Sequence, residues 1–97
     1  MSKQKIMQIF RIIGEKIKKG RLNVYYKGTD SKYLSMPFTK LQYDGTNLAV
    51  KYMDSSYEGA KFTIHSSDVV NVDLGESDKE GKIIFETDRF DMVMAVS

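Results

Sequence analysis

The sequence predicts an α+β fold: an N-terminal amphipathic helix, then an antiparallel meander of six to seven short strands. The strands are expected to form a twisted sheet or a small, partly closed barrel. Three observations carry this. The apolar period of the first nineteen residues is helical; after Gly20 the period becomes two and stays there. No second helical stretch separates the strand runs, so parallel crossover units are not expected.

The helix is expected over residues 3–19. At about 100° per residue, Ile6, Ile9, Phe10, Ile13 and Ile17 share one stripe, with Met7 and Ile12 at its margins. Gln4, Lys5, Gln8, Arg11, Glu15, Lys18 and Lys19 take the other side. Ser2 is placed to cap the first turn, and Gly20 stands where a left-handed C-terminal residue belongs. Gly14 interrupts the pattern, which weakens the helix slightly or allows close approach to a sheet.

Arg21–Lys27 then sets Leu22, Val24 and Tyr26 against Arg21, Asn23, Tyr25 and Lys27. Gly28–Ser31 reads as a turn and Tyr33–Phe38 as a second strand, made an edge by Pro37, which has no N–H for a ladder. Leu41 and Tyr43 lead into the hairpin dipeptide Asp44–Gly45, and Leu48, Val50 and Tyr52 return from it. Residues 54–60 look like a loop. Phe62 and Ile64 resume the alternation, followed by Val70, Val72 and Leu74. After a charged segment at 75–81 come Ile83 and Phe85, then Phe90, Met92, Met94 and Val96. Val50, Ile64, Val72 and Phe85 should join Ile6, Phe10, Ile13 and Ile17 in the core.

Ninety-seven residues bound the answer to one domain, residues 1–97. The absence of cysteine removes disulfide frameworks, thiolate metal sites and cysteine nucleophiles. Gln8 and Arg11 break the apolar residues near the start, so the opening reads as part of the fold rather than a signal or membrane segment. A cytoplasmic protein is expected. His65, the single imidazole, is followed by Ser66, Ser67 and Asp68. Neighbours in sequence do not make a catalytic triad, and no nucleophile turn surrounds either serine, so His65 reads as a solvent-facing residue. Glu76, Asp78 and Glu80 sit in too short a segment for a calcium loop, with Lys79 among them. Phosphate-cradling glycine motifs are missing. No cofactor, metal or enzymatic activity is expected.

Charge is the remaining signal. Residues 1–28 carry eight Lys or Arg against Glu15 alone, a charge of +7, and residues 29–97 carry −5. Lys16, Lys18, Lys19 and Arg21 flank the helix-to-strand junction, and Tyr25 and Lys27 continue the polar face of the first strand. Cations neutralise phosphates and an exposed tyrosine can stack on a base, so these six residues are the candidate nucleic-acid contacts. The expected function is a non-enzymatic binding module that takes nucleic acid without strong sequence preference. The alternative is a small protein–protein adaptor or inhibitor working through an exposed strand edge, where a second copy could also pair, or through its acidic C-terminal half.

Overall fold

A computed structural model describes residues 1–54, 58–75 and 81–97. Helix α1 spans Lys3–Lys16 and is capped by Ser2, whose Oγ accepts from the Lys5 N–H at 3.2 Å. Its apolar stripe buries Ile6, Ile9, Phe10 and Ile13, with Phe10 edge-on to Phe85 at 5.7 Å between ring centres. The helix is three residues shorter than its period suggests. Ile17 turns extended (φ −99°, ψ 128°) while its N–H still reaches the Ile13 carbonyl, and it ends up half-buried rather than buried.

The reason lies at Gly20. Instead of ending the helix, it opens the first strand, held between Phe38 and Val96. A Cβ there would collide with the Ala95 carbonyl and the Phe38 ring, so the position takes only glycine and Ile17–Lys19 must span the approach. Gly14 allows the close approach its position suggested: a Cβ would lie 3.4 Å from that of Tyr43.

Eight strands follow, one more than the longest expected meander, and they form two sheets. They are β1 (Gly20–Tyr26), β2 (Lys32–Phe38), β3 (Lys40–Tyr43), β4 (Leu48–Met53), β5 (Glu58–Ile64), β6 (Val69–Asp73), β7 (Lys82–Thr87) and β8 (Phe90–Val96). The first sheet has the order β2-β1-β8-β7-β6 and the second β3-β4-β5, and all their pairings are antiparallel. The arrangement is not a closed barrel. It also departs from a simple meander, because β1 pairs with β8 and joins the two ends of the chain. Pro37 does lie on an edge strand, β2. The loop expected at 54–60 is shorter than expected, since β5 begins at Glu58; residues 55–57 lie outside the described residues, as do 76–80 with Glu76, Asp78 and Glu80.

β2 and β3 are separated only by Thr39, which turns the chain from one sheet to the other. Its N–H donates to the Lys51 carbonyl at 2.9 Å, its hydroxyl to the Met53 carbonyl at 2.7 Å, and the Met53 N–H donates back to the hydroxyl. Inner-face residues of both sheets meet in one core, including Leu22, Val24, Phe38, Leu48, Val50, Ile64, Phe85 and Met94. One expected alternation fails. In β6 the register shifts between Val69 and Asn71, so Val69 and Val72 point inward while Val70 is exposed; Leu74 is exposed because it lies past the end of the strand. An inserted residue reverses the alternation on one side of a bulge. Among the described residues, no helix is long and apolar enough to cross a membrane.

Candidate functional site

The six candidate contacts do not form one patch. Lys16, Lys18 and Lys19 are exposed around the end of α1, where Lys18 Nζ donates to the Glu15 carbonyl at 2.8 Å. Arg21 projects from the outer face of β1 and donates to Ser35 Oγ at 3.0 Å; Ser35 in turn donates to Asn23 Oδ1 at 2.7 Å. Tyr25 lies four residues further along the same face, about 13 Å away in extended chain. It is half-buried, and Lys32 Nζ sits 6.0 Å from its ring centre. Lys27, at the far end, is 3.2 Å from Asp91 Oδ1. The basic junction and the Tyr25–Lys27 end are therefore separate surfaces, and a carboxylate already faces the second.

The outer face of the three-stranded sheet holds a feature that reading along the chain does not show. Lys40 pairs directly with Lys51, and Lys51 directly with Lys61. Directly opposed residues share a face, and the buried Leu41 and Val50 beside them fix that face as the outer one. Three lysines thus stand in a row across β3, β4 and β5, their backbone positions about 10 Å from end to end. Among the described residues, none of the three has a carboxylate within ion-pair distance. Lys51 leans off the row to donate to Gln42 Oε1 at 2.9 Å. The adjacent row on this face is Gln42, Ala49 and Thr63.

The hairpin that sets this register is built by Asp44. Its Oδ1 accepts from the Thr46 N–H at 2.9 Å and the Asn47 N–H at 2.7 Å, and Gly45 takes φ +100°. These two bonds, Asn47 first and Thr46 next, hold the Asp44 carboxyl below the ordinary aspartate range. The outer face of β1 and β2 carries Arg21 opposite Pro37, and the chain turns at Thr39 into Lys40. Arg21 therefore stands two residues' length from the Thr39 corner, on the sheet next to the one that carries the lysine row.

A different kind of site opens at the other end of the five-stranded sheet. A cleft of about 560 Å³ is lined by Phe62, Ile64, Phe90 and Met92, with His65 and Arg89 among its polar residues. His65 lies just past the end of β5, exposed, beside a turn in which the Asp68 N–H donates to its carbonyl. Phe90 also joins Tyr26 and Tyr33 in an aromatic cluster with ring centres 5.2–5.8 Å apart. Tyr26 is 46% exposed and Tyr33 56%. The sequence presents Tyr26 as an inner-face residue; at the strand's end the sheet no longer covers it.

Among the described residues, no three His, Asp or Glu come together as a metal site. Comparison with protein-family models, with curated proteins and with solved structures finds no match to this chain.

Proposed function

We propose that the protein is a non-enzymatic, cytoplasmic binding module that holds nucleic acid without strong sequence preference. The binding surface runs from Lys16, Lys18, Lys19 and Arg21 to the row Lys40–Lys51–Lys61. The observation that carries this reading is the row. Like charges placed directly opposite one another across strands are destabilising. Three in succession, with no carboxylate paired to them among the described residues, make a surface that an anionic partner would relieve. Lysine ammonium groups are compact point charges suited to phosphate oxygens, and such contacts position a nucleic acid without reading its bases. Tyr25 and Lys27 leave the proposed surface, since Lys32 covers one and Asp91 pairs with the other.

Titrating the full chain with mixed-sequence DNA or RNA tests the reading. Affinity should fall steeply as salt rises, and changing Lys16, Lys18, Lys19 and Arg21 together to Gln should weaken binding equally across sequences. Absence of binding at about 50 mM salt, where non-specific attraction is strong, overturns it.

One observation favours a second reading, the protein adaptor: Tyr26 and Tyr33 are large exposed aromatics clustered beside a cleft, with Arg89 at hand. Tyr and Arg are the residues that anchor protein interfaces. That reading expects a protein partner whose binding survives loss of the basic surface and is lost in Tyr33→Ala.

A further inference from the structure

We infer that the Lys40–Lys51–Lys61 row contacts the phosphate backbone of a double-stranded nucleic acid, about three phosphates at a time, and leaves the bases unread. This rests on the polyanion reading above and names its substrate class and its principal contact. Two features of the face point to a duplex. Proteins that hold single strands combine a basic track with aromatic side chains on which successive bases stack. Here the row next to the lysines is Gln42, Ala49 and Thr63, none of which offers a stacking surface. Among the described residues, the exposed aromatics, Tyr26 and Tyr33, belong to β1 and β2 in the other sheet and pack on Phe90. Small and polar neighbours leave the lysines standing above a smooth sheet, open to the backbone of a rigid duplex.

The charge around the row agrees. Among the described residues, Lys40 and Lys61 are exposed with no carboxylate partner, and Lys51 is held by a neutral amide. Over the Thr39 corner, Arg21 adds a further cation that is bonded to a hydroxyl and not to a carboxylate. The aromatic end offers no comparable field: Asp68 and Asp88 line the cleft with Arg89, and Asp91 occupies Lys27. A duplex held at the row should release about three counterions there, a contribution of about 2.7 to the slope of log affinity against log salt at about 0.9 per phosphate.

The test compares the full chain and its Lys40→Gln/Lys51→Gln/Lys61→Gln variant by fluorescence anisotropy on three probes: a labelled 20-base-pair duplex, one of its strands alone, and inorganic polyphosphate. Thermal melting accompanies each sample and should show the variant at least as stable as the parent, since it removes repulsion. The expected result is tightest binding to the duplex, unchanged when its sequence is shuffled. In the variant the loss of affinity between 50 and 200 mM salt should shrink by about 40-fold, the slope change above applied over a fourfold salt range. A single strand bound as tightly as the duplex, or polyphosphate bound more tightly through the same lysines, overturns the duplex assignment. A variant whose slope matches the parent's overturns the row as the contact and leaves the polyanion reading to the basic junction. No binding of any probe at 50 mM salt overturns both readings together.

Discussion

The outer faces of the two sheets present cations in opposite settings. On the five-stranded sheet several polar side chains find company: Lys27 meets Asp91, Arg21 reaches the Ser35–Asn23 pair, and Asn71 donates to Glu86 at 3.1 Å. On the three-stranded sheet, three lysines face one another across neighbouring strands, with no carboxylate paired to them among the described residues. The first face is settled within the protein, and the second is left for something outside it. Cation count alone would rank the helix end and first strand highest, yet much of that charge is spread along the chain or already engaged. Electrostatic demand depends on what stands beside each charge, and only the fold decides that.

The largest expected effect tests the scaffold that both faces share. Ile13→Ala should cost about 2–5 kcal/mol, because it opens a cavity under α1 in a domain whose total stability is of the same order. Chemical denaturation measures this, and binding to nucleic acid should fall only as the folded fraction falls. Intact stability in this variant would mean that α1 is not the cover of the core.

The comparison sharpens in a pair of substitutions with opposite signs. Lys51→Gln should stabilise the protein by about 0.2–1 kcal/mol, since it removes two cross-strand repulsions. Lys27→Gln should destabilise it by up to about 1 kcal/mol through loss of a partly exposed pair. Equal signs in urea melts would break the contrast between a frustrated face and a satisfied one.

The smallest effect concerns the hairpin that aligns the row. Asp44→Ala should lower the melting temperature at neutral pH and weaken duplex binding through a loosened register. Because the folded-state pKa of Asp44 lies below its unfolded value, its contribution is present above the unfolded value and fades as pH falls through the folded one. The gap between parent and variant should therefore begin to close only as pH falls below about 4. A gap that stays constant from pH 7 to the acid limit would show that the carboxylate's two N–H bonds do not hold the turn.

Elements defined by near neighbours were legible. The Ser2 cap, the buried stripe Ile6–Ile13, the alternation of Leu22 and Val24 with Arg21 and Asn23, the turn at Gly28 and the edge position of Pro37 all follow from interactions spanning a few residues. The errors arose where a distant partner intervened. Helix α1 stops at Lys16 because Gly20 is claimed by Phe38 and Val96, 18 and 76 positions away along the chain. Val70 turns outward because β6 shifts register to fit the ladder of β7. The strand over Tyr33–Phe38 and the one carrying Leu41 and Tyr43, read as successive members of one meander, fall in two sheets because Thr39 bonds to Lys51 and Met53.

The candidate site divides the same way. By itself the sequence determined that Lys40, Lys51 and Lys61 are polar positions beside apolar ones, and so face outward from their strands. It could not place them in one row. A two-residue turn at Asp44–Gly45 would set Lys40 opposite Ala49; the four-residue connection held by the Asp44 carboxylate sets it opposite Lys51 instead. Side-chain direction repeats every two residues and is written locally, whereas register is the sum of every turn and bulge between two strands. The tertiary structure alone, through that sum, brought three scattered lysines face to face.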